Sequence, residues 1–395
     1  MIQIKPYIDH KLISPYSGEQ LTPKEILWQG THVCVKGYCL HRNREIVEEL
    51  KVGHAQTNPY TIDVIDGKIW GNEAAKSFLG MPLLYSLQNP DNSSLEIKKE
   101  VFDSCRKVIV LNCIDFLYGH SLLKLLNAQR HLDEATDLGL VVIVPQYLRW
   151  MVPEGVAEIW TVNISLKNGQ CYYTQFHDFV EQECERFDEI YVSKAHSHPS
   201  QFDIEKFTKI DKYDWSDDKT RITFVWREDR PWVGEFLYVV CRKFKVIPWL
   251  VRIQNWKVRR LLWLIKKAIP DAQVTIAGLG KKTKFPQWIE DLRVENYTEE
   301  TERKVCKVYA DSCLVIGIHG SNMLLPSGHA GMTLDLMHKS RWNNFAQDIL
   351  YQEKDPRLAA FKYRYIPFNT NLIDISSIAV SMIKKFAKFK TAMKN

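Results

Sequence analysis

The sequence predicts an α/β protein of two Rossmann-like domains facing each other across a cleft, preceded by a small β-rich region. Three observations carry this. From Lys107 onward, short Val/Ile-rich runs alternate with helix-length segments; a second series of the same kind starts at Arg221; and a polar, strand-poor stretch, "SHPSQFDIEKFTKIDKYDWSDDKT", lies between them. Strands of a parallel sheet covered on both faces read as continuous apolar runs, because neither face meets water.

Residues 1–95 hold runs such as "THVCVKGYCLHRN" and "YTIDVIDGKIWGN", each crossed by a Gly turn, which predict hairpins. The first Rossmann-like domain, 96–210, opens with "KVIVLNC" and the helix-length "HSLLKLLNAQRHLDEA", then "LVVIVP", "EIWTVN" and "EIYVS". The second, 211–370, runs through "RITFVW", a long helical region from Trp232 to Ile269, "QVTIAGLG", "LRVEN", "CLVIGIHG" and "MTLDLM". Residues 371–395 predict a basic amphipathic helix: Ile378, Met382, Phe386, Phe389 and Met393 recur at three- and four-residue spacing, with Lys384, Lys385, Lys388 and Lys390 mostly off that face. A second basic stretch interleaves Arg242, Lys243, Lys245, Arg252, Lys257, Arg259, Arg260, Lys266 and Lys267 with Trp249, Trp256, Leu261, Leu262 and Trp263. Either helix suits an anionic membrane surface, and either suits a surface helix packed on its own domain.

With 395 residues, 45% hydrophobic and 25% charged, the chain can bury ordinary cores. A formal charge of +6 is mild at this length and does not imply a nucleic-acid partner. Nine cysteines without a CxxC pair fit a reducing compartment. The first residues lack the basic-then-apolar order of a signal peptide, and no apolar run approaches the roughly 20 residues of a membrane span. The expectation is a cytoplasmic protein, with membrane-surface attachment left open.

In open α/β sheets, ligands bind beyond the carboxyl ends of the strands, where loops are free and helix N–H groups point into the crevice. Four junctions there carry chemistry. In "NCIDFLYGHSLLKLL", Asp115 and His120 form a candidate general base and orienting partner, or else Asp115 or Ser121 caps the helix. In "FVWREDRPW", Arg227, Glu228, Asp229 and Arg230 follow a buried strand; guanidinium forks match phosphate oxygens, although such charges also make ordinary solvated turns. In "TIAGLGKKTKF", Gly278 and Gly280 allow close backbone approach with Lys281, Lys282 and Lys284 behind them; a lone GxG is no dinucleotide fingerprint. In "VIGIHGSNMLLPSGHAGMTLD", His319, Gly320, Ser321 and Asn322 end a strand with a side-chain donor, a permissive backbone and two small polar groups suited to a diphosphate, or form a tight turn with His319 satisfied in the core.

Weaker candidates are His196 and His198, which follow the strand at 189–193 on the acceptor side. Arg341, Asn344 and Gln347 after the Asp335 strand are another set. His32, Cys34, Cys39 and His41 offer a zinc-like order that hairpin alternation explains as well, and no metal site is assigned.

"YGHSLLKLLNAQ", the Arg that ends "FVWRED", and "ADSCLVIGIHGSNMLLPSG" leading to "MTLDLM" together resemble glycosyltransferase family 61, over roughly residues 107–350. The family's usual Ala-Gly after His-Gly is replaced by Ser321-Asn322. The resemblance implies a GT-B-like enzyme in which Arg227 and His319 to Asn322 contact the diphosphate of a nucleotide-sugar donor, with Asp335 near the donor sugar or ribose. A glycan or lipid-linked acceptor would meet the first domain, where Asp115 or His120, or else His196 or His198, would deprotonate it. Arg227, His319 and helix N–H groups would stabilise the leaving group in place of a divalent metal, and no cofactor is expected beyond the nucleotide-sugar substrate. Two alternatives remain open: a pyruvyl- or other group-transferase on the same scaffold, and a non-enzymatic peripheral-membrane or polyanion-binding protein.

Overall fold

The structure is a computed structural model, and it describes every residue except 41, 196–198, 200, 217, 218, 245, 282, 348, 394 and 395. The chain divides into two compact units, Met1–Asp203 and Ile204–Asn395.

The first unit contains β1 (Ile2–Lys5), β2 (Leu12–Ile13), β3 (Gln20–Leu21), β4 (Pro23–Trp28), β5 (Val33–Cys39), β6 (Arg44–Glu49), β7 (Tyr60–Asp63), β8 (Lys68–Gly71), β9 (Ile97–Val101), β10 (Lys107–Asn112), β11 (Gly139–Pro145), β12 (Glu158–Val162) and β13 (Glu189–Val192). β4 to β8 form an antiparallel meander in sequence order. A six-stranded sheet has the order β1-β13-β10-β11-β12-β9, with four parallel strands in the middle and an antiparallel strand at each edge. The β-rich region expected over 1–95 is folded into this unit. β1 pairs with β13, and Trp28, Val33 and Val35 share a core with Val108, Val110 and Trp160.

That packing also explains the zinc-like pattern. Cys34 and Cys39 stand five residues apart on β5, so they point to opposite faces. Cys34 joins the core under Leu79 and Leu83, and Cys39 joins the one containing Val108. They cannot converge on one ion; His41 lies outside the described residues.

The second unit holds β14 (Arg221–Arg227), β15 (Gln273–Leu279), β16 (Glu290–Val294), β17 (Leu314–Ile318), β18 (Thr333–Met337) and β19 (Tyr363–Pro367). All pair in parallel, in the order β16-β15-β14-β17-β18-β19. Counted within the unit this is 3-2-1-4-5-6, the doubly wound Rossmann order. Every residue of β17 and β18 is buried, as the continuous apolar runs predict. β19 is the strand that the sequence reading does not anticipate.

The long helical region is two helices, Glu235–Lys243 and Ile247–Ala268, with Pro248 in the first turn of the second. Proline is accepted there because its missing N–H would have no intrahelical partner, whereas further inside it would remove a bond. Val251, Val258, Leu261, Leu262 and Ile265 of the second helix pack into the sheet's core. The C-terminal helix, Leu372–Ala392, lies against the same helix and buries Ile375, Ala379, Met382 and Phe386 in that core. Its apolar stripe therefore faces its own unit.

Truncating Met382 to alanine should cost about 2–5 kcal/mol, the usual range for an emptied core site. Chemical denaturation reads this directly; an unchanged midpoint would mean that the C-terminal helix adds nothing to the unit's stability.

Candidate active site

In a sheet of this order, the chain leaves β14 toward one side and β17 toward the other, which opens a crevice at their carboxyl ends. β14 and β17 are adjacent, with Val225 opposite Gly317. The residues that follow them, Arg227 to Arg230 and His319 to Asn322, therefore meet. Arg227 donates from Nε and Nη2 to the Asp229 carboxylate and from Nη1 to Asn322 Oδ1 at 2.8 Å. Arg230 Nη1 reaches the His319 carbonyl at 3.5 Å.

Gly320 sits under both guanidinium groups. Its φ of +146° is a conformation that side chains resist, and a Cβ there would lie 2.7 Å from Arg230 Nη1 and 3.3 Å from Arg227 Nη1. Two cationic groups thus approach one backbone position. Asp229 and Asn322 hold one of them in place.

His319 itself is only 4% exposed. Its Nδ1 lies 3.0 Å from Asp335 Oδ2, and since a carboxylate only accepts, that nitrogen carries the hydrogen. Tyr363 donates to the same oxygen at 2.6 Å. Asp335 stands in the middle of β18 and is completely buried, opposite Gly317 on one side and Tyr365 on the other. In this arrangement its Oδ2 is taken up by His319 and Tyr363, and the carboxylate is covered by protein. Ser321 and Asn322 are partly exposed beside Gly320.

The glycines after β15 meet protein at close range. A Cβ on Gly278, whose φ is +126°, would fall 2.2 Å from the Trp226 carbonyl oxygen, and one on Gly280 would fall 2.3 Å from Glu228 Cδ. The following loop is pinned by Arg293, a buried guanidinium that binds Asp291 and Thr283 and lies over Trp226 and Phe285. Small residues along the fourth junction have similar reasons. A Cβ on Gly317 would press on Met323 Sδ at 2.3 Å, and one on Gly331 would meet the Tyr213 and Trp215 rings.

The first unit has its own reversal between β10 and β13. Past β10, Asp115 is buried, with Lys124 Nζ at 2.9 Å and His54 Nε2 at 3.2 Å from Oδ2, and the Leu117 N–H on Oδ1. His120 Nδ1 lies 3.6 Å from Oδ1 and 3.3 Å from His54 Nε2, with its side chain 36% exposed. Burial alone would raise the Asp115 carboxyl; Lys124, with hydrogen bonds from His120 and His54, reverses this and holds it well below the usual range. Burial lowers the His54 imidazole despite its hydrogen bond to Asp115. An ionised Asp115 thus backs two imidazoles, of which His120 is the one that reaches solvent.

His54, Asp115 and His120 also bring ligand atoms within 4.8 Å of one another, a spacing a divalent ion can bridge, although Lys124 already supplies positive charge at that carboxylate. Sequence reasoning missed His54 and Lys124. Lys124 has a signal, a lysine inside the apolar "LLKLL" four residues after His120. His54 sits in a Gly-flanked turn far away in sequence and has none. His196 and His198 lie outside the described residues.

Removing either partner of a buried pair strands the other charge, so Lys124→Met or Asp115→Asn alone should each cost about 3–5 kcal/mol, and the double variant should recover much of it. The acid limb follows from the same pair. The Asp115 carboxyl is depressed in the folded state, so its stabilisation is complete above the unfolded value of about 4 and is lost as pH falls through the folded value. Asp115→Asn should therefore make acid unfolding shallower below pH about 4; an equally steep limb would show that Asp115 is not the group responsible.

Comparison with protein-family models gives no match, and comparison with curated proteins gives none. Among solved structures, the chain is similar to the E. coli ADP-heptose LPS heptosyltransferase II, with a TM-score of 0.41 and 11% identity over 72% of this chain and 99% of that one. At this similarity no activity carries across, and the fold rests on the strand orders described above.

Proposed function

We propose that the chain is a GT-B-like glycosyltransferase that moves a sugar from a nucleotide-sugar donor, held by the second unit, to a glycan or lipid-linked acceptor. The observation that carries this reading is the approach of Arg227 and Arg230 to Gly320 at the β14–β17 switch point. A diphosphate is the ligand that suits two guanidinium groups over a position without a side chain. The Arg227–Asp229 pair does not exclude it: Asp229 is 60% exposed and can turn to water, and a phosphate offers the fork two oxygens of its own.

In the proposed reaction the acceptor hydroxyl oxygen attacks the anomeric carbon of the donor, and the bond from that carbon to the diphosphate oxygen breaks. The diphosphate takes the electron pair, and Arg227 and Arg230 stabilise the negative charge without a metal. Within the first unit, the proposed acceptor of the hydroxyl proton is His120, which His54 and the ionised Asp115 orient. His319, clamped by Asp335 and Tyr363, is a positioning residue that fixes the backbone of Gly320 and Ser321.

Thermal shift with UDP, GDP, ADP, CMP and phosphoenolpyruvate tests the donor class. A nucleotide should stabilise the protein, and Arg227→Ala should weaken that nucleotide by about 1.5–3 kcal/mol, the range for hydrogen bonds to charged groups. Stabilisation by phosphoenolpyruvate alone, or a nucleotide response that Arg227→Ala leaves unchanged in a folded protein, would overturn the assignment.

A further inference from the structure

We infer that the solvent face of the helix Ile247–Ala268 is a docking surface for an anionic lipid bilayer. One face of this helix is already committed, since Leu250, Val251, Val258, Leu261, Leu262 and Ile265 are buried. The opposite face carries Trp249, Trp256 and Trp263, which are 51%, 61% and 42% exposed. Their seven-residue spacing is two helical turns, so the three indoles form one stripe. Arg252, Arg259, Arg260 and Lys267 are exposed between and beside them. No Asp or Glu occurs between Glu235 and Asp271.

A single exposed tryptophan needs no explanation, but three aligned on a helix whose other side is packed leave a contiguous apolar stripe to water. The turn entering the helix adds Phe244 and Val246, 69% and 45% exposed. At the other end Lys384 of the C-terminal helix donates to the Ala268 carbonyl, which extends the positive surface.

Indole rings prefer the headgroup depth of a bilayer, and arginine and lysine beside them meet lipid phosphates, so this alternation fits an interface better than bulk water. A polyanion read by base stacking would need open ring faces. At Trp263, Arg260 lies over the ring at 4.4 Å, with Lys267 at 5.6 Å, so cations already occupy the position a stacked base would take on that ring. Lipid contact needs only ring edges and guanidinium groups that turn to phosphate. Among the described residues no helix is long and apolar enough to cross a membrane, so the helix would lie in the interface plane.

This inference is independent of the catalytic proposal, and co-sedimentation of the full chain with vesicles tests it. Binding to phosphatidylcholine vesicles containing one quarter phosphatidylglycerol, weakened by salt and absent with phosphatidylcholine alone, is the expected result. W249S/W256S/W263S should lower partitioning at least about tenfold and R252E/R259E/R260E should abolish it, each charge being worth about fivefold at an anionic surface. Circular dichroism and nucleotide response should stay unchanged in both. Failure of the wild-type chain to bind anionic vesicles, full binding by both folded variants, or retention on heparin or single-stranded RNA without vesicle binding would overturn it.

Discussion

The pairing of β14 with β17 is the constraint on which the second unit's chemistry depends. These strands lie far apart in sequence, and their adjacency places the chain's reversal of winding at one spot. Because Val225 is level with Gly317, the two segments leave the sheet at the same height, and Arg227 and Arg230 meet Gly320. One residue of slippage would turn Arg227 to the other face of the sheet. The registers on either side secure it: Trp226 against Gly278, and Gly317 against Asp335.

Glycine has two different roles along these junctions. At 278 and 317 the absent side chain lets protein pack on protein, against the Trp226 backbone and the Met323 sulfur. At 320 it lets two guanidinium groups come close to the backbone. The motif "IHGSN" therefore ends its strand for two reasons at once. His319 turns inward to a buried carboxylate and tyrosine, and Gly320 turns the backbone outward to the cations.

The sequence made the parallel strands legible because burial on both faces removes polar residues from them, as in "CLVIGI" and "VIVLN". It also placed Arg227 and His319 at strand ends. It did not reveal β19, whose "YRYIP" alternates like an edge strand, so Tyr363 was missed as the second partner of Asp335. Nor did it reveal that a turn from the antiparallel region delivers His54 to Asp115, a contact across 61 positions that no local pattern encodes. The tryptophan-rich segment reads as apolar and basic in sequence, and only burial separates the leucines that pack from the tryptophans that do not.

A crystal soaked with the nucleoside diphosphate that stabilises the protein tests the central claim most directly. The account predicts a diphosphate at the end of β14 and β17, within hydrogen-bond distance of Arg227, Arg230 and the backbone around Gly320. A diphosphate bound elsewhere, with these guanidinium groups still turned to Asp229 and the His319 carbonyl, would contradict it.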